Sequence, residues 1–168
     1  MEEIDDIAGR VIGAAIAVHR ALGPGLLESA YDECLSLEMT LSGLKYERQM
    51  ALPIVYRSVT LLRAYKPDFL VEGVVILELK TVEKLLPVHE AQVLTYLKLS
   101  GVEAGLLINF NAIPLKSGIR RLNKSRSFSS VSSVSPSRIA EAATGPAIPS
   151  PPEDEKIENN IEHKNKQS

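Results

Sequence analysis

The chain is organised around the stretch Lys66-Pro67-Asp68-Phe69-Leu70-Val71-Glu72-Gly73-Val74-Val75-Ile76-Leu77-Glu78-Leu79-Lys80. Two apolar runs lie on either side of Glu72-Gly73, so the stretch predicts a tight β-hairpin. Glu78 and Lys80 are two residues apart and would point to one face of a strand. Asp68 would share that face if the hairpin loop has three residues, or if a bulge corrects the parity.

Three charged side chains on one face of an apolar hairpin are expensive to desolvate unless something binds them. Two carboxylates beside an ammonium group suit a hard cation such as Mg²⁺, which takes oxygen ligands and holds phosphate oxygens. The alternative is a surface ladder of salt bridges among Asp68, Glu78 and Lys80. The hairpin by itself leaves both interpretations open.

Pro67-Asp68 followed by Glu78-Leu79-Lys80 resembles the signature of the PD-(D/E)xK superfamily of restriction-endonuclease-like nucleases. Further matches occur in the same order along the chain. They are Gly25 to Tyr31, which fits the GxxExxY family motif, Gln92 and Tyr96, which fit the QxxxY helix of RecB-like nucleases, and a closing segment with Asn109-Phe110 and Gly118 to Arg121. The resemblance covers residues 5–122.

The resemblance implies an α/β fold with a restriction-endonuclease-like core, in which helices flank a mixed central sheet. It also implies hydrolysis of phosphodiester bonds in nucleic acid, with DNA favoured, and Mg²⁺ (or Mn²⁺) as cofactor. Asp68, Glu78 and the Leu79 carbonyl would hold the metal, Glu28 would add a third carboxylate or hold a water, and Lys80 would activate the attacking water. The alternative is a catalytically silent nuclease-like fold that binds nucleic acid or protein.

Other polar residues are candidates for substrate binding. His89, Gln92 and Tyr96 share one stripe of a predicted helix and could position a phosphate backbone. The basic Arg120 and Arg121 could meet phosphate or merely solvate a sheet edge. Two further candidates lie on the predicted N-terminal helices. His19 could pack in the core or approach the metal, and Tyr31 shares a helix face with Glu28, at positions i and i+3.

Composition limits the class of protein. The chain has 168 residues, enough for one domain and an appendage, and a net charge of −2, which excludes a strongly basic nucleic-acid scaffold. One cysteine, Cys34, permits no internal disulfide. No run is long and apolar enough to span a membrane, so we expect no membrane partner. The acidic first turn does not fit a secretory or mitochondrial signal, which predicts a cytoplasmic protein.

Periodicity and turn residues divide the chain. They predict a nuclease-like domain over residues 1–122 and a low-complexity, disordered tail over 123–168, where serine and proline dominate. Within the domain the patterns predict helices over 4–22, 26–42 and 87–100. They predict strands over 46–56, 59–65, the hairpin, 104–110 and 115–122.

Overall fold

A computed structural model describes residues 2–124, except the side chains of residues 63 and 64. The elements follow the order α1 (Glu2–Leu22), α2 (Glu28–Leu41), β1 (Tyr46–Arg48), β2 (Leu52–Tyr56), β3 (Val59–Tyr65), β4 (Phe69–Val71), β5 (Val75–Lys80), α3 (Pro87–Ser100), β6 (Ala104–Asn109) and β7 (Ile119–Asn123). A short 3₁₀ helix, Leu115–Gly118, precedes β7. From residue 125 onward, the predicted tail lies outside the described residues.

Five strands form one mixed sheet in the order β1-β4-β5-β6-β7. β5 and β6 are parallel, and the other neighbouring pairs are antiparallel. A parallel pair needs a crossover connection, which α3 provides. The predicted α/β fold with a mixed central sheet and flanking helices is confirmed.

The sheet is covered by helices on both faces. α1 and α2 pack on one face, around buried residues that include Val11, Tyr31, Leu35, Phe69, Leu77 and Leu106. α3 packs on the other face, against Leu70, Ile76 and Leu107. All residues of β6 are buried, as its continuous apolar run predicts for a strand covered on both sides. In the part of the chain that the structure describes, no helix combines the length and apolar character needed to cross a membrane.

Two predicted strands are wrong in extent. Residues 46–56 are not one strand, because Gln49 adopts a left-handed conformation with φ of 50° and its amide donates to the Asp68 carbonyl at 3.0 Å. β1 therefore ends at Arg48, and β2 leaves the main sheet to pair with β3. Residues 115–122 are not one strand either, since the Ser117 amide bonds to the Pro114 carbonyl and the chain makes a 3₁₀ turn before β7.

Gly118 packs closely against the end of β6 and the turn that follows it. An added Cβ would lie 2.5 Å from Ala112 Cβ and 2.7 Å from the Asn109 carbonyl oxygen, a main-chain atom that cannot rotate away. We expect Gly118→Ala to lower the free energy of unfolding by about 1–3 kcal/mol, a typical cost of overpacking, as measured by urea denaturation.

The matched control is Gly13→Ala in α1, where a Cβ meets nothing within 4 Å. Alanine is a better helix former than glycine, so the free energy of unfolding of this variant should be about 0.5–1 kcal/mol higher than that of the wild type. Equal stability of Gly118→Ala and the wild type would contradict the close packing of this turn.

Candidate metal centre

The open end of the β4–β5 hairpin brings Asp68 and Glu78 together. Phe69 pairs with Leu77 at the end of the ladder; Asp68 directly precedes Phe69 and Glu78 directly follows Leu77, and the two carboxylates are close enough for Asp68 to contribute to the raised pKa of Glu78. Side chains at opposite positions share a face, with Cβ atoms about 4.5–5.5 Å apart. Asp68 Oδ2 accepts a hydrogen bond of 2.7 Å from the Leu79 amide. The loop between the strands has three residues, which is the parity that the shared face requires.

Lys80 lies on the same strand face as Glu78. Its Nζ is 2.6 Å from Glu78 Oε1, and the side chains of Glu78 and Lys80 are only 4% and 15% exposed. The second carboxylate oxygen, Glu78 Oε2, is buried and has no hydrogen-bond partner among the described residues. A buried carboxylate oxygen without a partner is unfavourable, so this atom marks a position where a cation or a bound water would be stabilised.

The Leu79 backbone lies beside Asp68. The Leu79 amide donates to Asp68 Oδ2 at 2.7 Å, whereas Lys80 O accepts the Phe110 amide at 2.8 Å on the β6 side. Backbone groups alternate along a strand, so the Leu79 carbonyl faces the β4 side. Pro67, which precedes Asp68, has no N–H to donate to it. The Leu79 carbonyl is therefore a candidate oxygen ligand next to Asp68.

Glu28 approaches the same end of the hairpin from α2, of which it is the first residue. It lines a cavity of 340 Å³ with Ser29, Asp32, Glu33, Arg48, Gln49, Asp68 and Leu79. The Glu28 charge helps to raise the pKa of Asp68. Tyr31 holds the start of α2 in place, because its hydroxyl donates to the Gly23 carbonyl at 2.5 Å and accepts from the Leu26 amide.

Burial dominates the electrostatics of the two facing carboxylates. Burial raises the pKa of Asp68 to about 6, although the Leu79 amide and the Lys80 charge oppose the shift. Burial, followed by repulsion from Asp68, raises the pKa of Glu78 to about 7 despite the hydrogen bond from Lys80. One ammonium group does not neutralise two carboxylates, so a further positive charge would be favourable here.

A polar cluster that the sequence analysis missed borders the cavity. Arg48 forms ion pairs with Asp32 and, at 2.7 Å, with Glu33. Burial raises the pKa of Asp32. The available signal was the helical spacing, since Asp32 follows Glu28 by four residues and so lies on the same face of α2.

Asp68 and Glu78 share strand parity with Leu70 and Ile76, which pack against α3. Gln92 and Tyr96 of α3 border the carboxylates from that same face, where the Glu78 charge acts on Tyr96. Gln92 Nε2 donates to the Tyr96 hydroxyl at 2.6 Å, and that hydroxyl is 3.5 Å from the Lys66 carbonyl. Burial, and then the Glu78 charge, raises the pKa of Tyr96 to about 12. The hydroxyl therefore keeps its proton at neutral pH.

His19 and Tyr31 lie around Phe110, directly after β6. Tyr31 stacks on Phe110 at 4.4 Å between ring centroids, and the His19 ring is 6.4 Å from it. His19 Nε2 is buried and unpartnered within residues 2–124. Since the Phe110 amide bonds to Lys80 O, these rings support the end of β5 from the α1–α2 side.

Three predicted substrate residues make their contacts elsewhere. His89 Nδ1 accepts a main-chain hydrogen bond at the start of α3. Arg120 Nε lies 3.8 Å from Glu90 on α3, and Arg121 pairs with Asp5 of α1. Arg120 and Arg121 occupy opposite faces of β7 because they are neighbours on a strand. The structure does not bring these three residues together with the carboxylates.

The donor set fits a hard cation with few protein ligands. Within residues 2–124, no three His, Cys, Asp or Glu side chains are arranged to hold a metal ion. The Asp68 and Glu78 carboxylates, the latter with an unpartnered Oε2 among the described residues, and the Leu79 carbonyl nonetheless all offer oxygen ligands. Mg²⁺ commonly takes one or two carboxylates and completes its shell with water, so these residues suit it.

Comparison with family models matches residues 5–122 to the PD-(D/E)XK nuclease superfamily. Comparison with curated proteins gives no match, and comparison with solved structures gives none. The matched range includes Asp68, Glu78 and Lys80, whereas the narrower GxxExxY resemblance stays a prediction. Because the match spans more than half of the chain, the protein belongs to the PD-(D/E)XK nuclease superfamily.

Proposed function

We propose that the protein is a Mg²⁺-dependent nuclease that hydrolyses phosphodiester bonds in nucleic acid, with DNA as its favoured substrate. The supporting observation is the hairpin end, where Asp68 faces Glu78 and the buried Glu78 Oε2 has no partner among the described residues. Such an arrangement is unfavourable by itself and becomes favourable when a divalent cation occupies it. Membership of a nuclease superfamily supports the same reading.

Asp68, Glu78 and the Leu79 carbonyl would hold the Mg²⁺, or Mn²⁺ in its place. The bound cation would polarise the phosphate and lower the pKa of a water molecule. Glu28, which lines the cavity together with Asp68 and Leu79, would hold a water at the edge of the site by accepting a hydrogen bond from it. A carboxylate is an acceptor only, so it orients the water's lone pair away from itself and toward the phosphate.

Lys80 would stabilise negative charge that grows on the phosphate during attack. Its ammonium group is pinned 2.6 Å from Glu78 Oε1, which fixes its direction before substrate arrives. Preorganised charge in a site that excludes water is the most effective form of electrostatic catalysis. A lysine with three donors can also orient the attacking water while it keeps its bond to Glu78.

Gln92 and Tyr96 would position the substrate strand. Their mutual hydrogen bond of 2.6 Å leaves the second amide proton of Gln92 free to donate. Contacts of this kind fix the position of a phosphate backbone without reading sequence. The protein would therefore cleave without a strong base preference.

The first test of this proposal is the stability of the metal-free protein. Asp68 and Glu78 have raised folded-state pKa values, so the fold binds their protons more tightly than the unfolded chain. Stability from this source is present below about pH 4 and is lost as pH rises through about 6–7. With a chelator at pH 8, the free energy of unfolding of Asp68→Asn, measured by urea denaturation, should exceed that of the wild type by about 1–3 kcal/mol. This difference should shrink at pH 4.5.

Adding Mg²⁺ at pH 8 should then stabilise the wild type and leave Asp68→Asn unchanged. The asparagine Oδ1 can still accept the Leu79 amide, so the variant keeps the local fold. A Mg²⁺ response of equal size in both proteins would remove Asp68 from the metal site.

The second test is cleavage. We expect Mg²⁺-dependent cleavage of nucleic acid by the wild type and a loss of about 10²–10³-fold in kcat for Lys80→Ala, the range typical for a preorganised charge. Lys84→Ala is the matched control, because Lys84 is an exposed lysine four residues further along. Retention of Mg²⁺-induced stabilisation with no cleavage of DNA or RNA would favour the silent binding module.

The third test concerns Glu28. Glu28→Gln should lower kcat by about 10²-fold, a typical contribution of a group that handles a proton, while it leaves the Mg²⁺-induced stabilisation largely intact. Glu38→Gln on the same helix serves as control. Loss of Mg²⁺ stabilisation in Glu28→Gln would make this residue a metal ligand instead.

A further inference from the structure

The β2–β3 hairpin stands apart from the main sheet and exposes apolar side chains. Five large apolar residues of the hairpin are 44–65% exposed: Val55, Tyr56, Val59, Leu61 and Leu62. Tyr56 and Val59 face each other beside the turn, at residues 57 and 58. Successive strand residues alternate between faces, so both faces of the hairpin carry apolar groups. Such a concentration on one small element indicates a binding surface.

The same segment carries only positive charge. Residues 48–67 contain Arg48, Arg57, Arg63 and Lys66 and no acidic residue, within a chain of net charge −2. Arg48 is occupied by its ion pairs with α2, whereas Arg57 and Lys66 are exposed. Apolar groups next to unneutralised cations complement a ligand that is both aromatic and anionic.

The tip of the hairpin is built around Tyr56 and Arg57. The Arg57 guanidinium carbon lies 5.6 Å from the centroid of the Tyr56 ring, a cation–π contact. Arg57 has φ of 54°, in the left-handed region that glycine would occupy at lower energy.

The base of the hairpin is fixed beside the carboxylates. Leu52 pairs with Tyr65, and the Tyr65 ring meets the Tyr96 ring edge-on at 5.8 Å. Tyr96 in turn contacts the Lys66 carbonyl, two residues before Asp68. Four strand residues separate this base from the tip, a distance of about 13 Å. That length corresponds to about four stacked nucleotides of one strand.

We propose that the β2–β3 hairpin binds the single-stranded part of a nucleic-acid substrate, with an unpaired base stacked on Tyr56 and a phosphate near Arg57. This inference rests on the proposed nuclease function. Unpaired bases expose their faces to a ring, whereas a duplex hides them. A duplex is held mainly by many phosphate contacts, and the hairpin offers few cations for that purpose.

A second copy of the chain fits this surface less well. Two hairpins that meet would bring like charges together, since each carries no acidic residue. A specific dimer also buries about 800 Å² on each partner. The five half-exposed apolar side chains of the hairpin supply less area than that. We therefore place nucleic acid on this hairpin.

The chain contains no tryptophan, so Tyr56→Trp creates a single fluorescent reporter at the tip. A short single-stranded oligonucleotide, titrated in chelator to prevent cleavage, should quench this fluorescence because the base stacks on the indole. Leu41→Trp, at an exposed position at the end of α2, should show no quenching. For a duplex of the same sequence, the dissociation constant obtained from the titration of Tyr56→Trp should be at least about tenfold higher.

Three results would overturn the inference. They are equal quenching of both reporters, equal or tighter quenching by the duplex, and a fluorescence change that follows protein concentration alone, with a dimer seen by sedimentation. The last result would assign the hairpin to a second copy of the chain.

Affinity measurements separate the contacts from the fold. Tyr56→Ala should weaken binding of the single strand by about fivefold to a hundredfold, and Tyr56→Phe should restore it to within about twofold, because phenylalanine keeps the stacking face. Arg57→Gly should weaken binding by about twofold to fivefold while the thermal stability stays equal or rises. Unchanged affinity in Tyr56→Ala would overturn the inference.

Cleavage distinguishes failure of this inference from failure of the proposed function. Mg²⁺-dependent cleavage without quenching at Tyr56→Trp would leave a nuclease that does not use its hairpin, which overturns the inference alone. Quenching without cleavage would overturn the nuclease and support the hairpin as a nucleic-acid-binding element.

Discussion

Burial of two neighbouring carboxylates at the end of one hairpin is the constraint on which the rest of this structure depends. Asp68 directly precedes β4 and Glu78 lies on β5, and within the described residues the ammonium group of Lys80 lies beside them. A sheet covered on both faces by helices gives these groups little water, which raises the pKa of both. The fold thus places two carboxylates beside one ammonium group, and a bound cation would offset the excess negative charge.

Several local irregularities keep the hairpin end open to ligands. Pro67 cannot donate to Leu79, and β4 has only three residues, so the strand ladder stops where the carboxylates begin. The left-handed Gln49 ends β1 at the same level and bonds to the Asp68 carbonyl. Because the chain leaves the sheet at this point, the neighbouring strand does not cover the site. The irregular backbone thus leaves the hairpin end accessible to the ligand that we propose for it.

Much of this fold could be predicted from local patterns. Helical periodicity predicted α1, Pro87 and Gly101 marked the two ends of α3, and the continuous apolar run predicted β6. The break at Gln49 could not be predicted, since a non-glycine residue is left-handed there and its amide bonds to a residue 19 positions away. The sequence also predicted that Asp68 and Glu78 share a strand face if the hairpin loop has an odd number of residues. Helical spacing could have placed Asp32 on the face of Glu28, whereas its pairing with Arg48 depends on how α2 meets β1, which no local pattern contains.

The β2–β3 hairpin, our proposed substrate-binding element, is continuous along the chain with the candidate metal centre. The β2–β3 hairpin is the segment between β1 and Asp68, so its last strand leads through Lys66 and Pro67 directly into the carboxylate pair. Tyr65 and Tyr96 join the two at the base. A near-neutral domain cannot rely on a broad basic surface to hold a polyanion. A cationic and aromatic hairpin would give such a domain a local contact with the substrate beside the proposed site of cleavage.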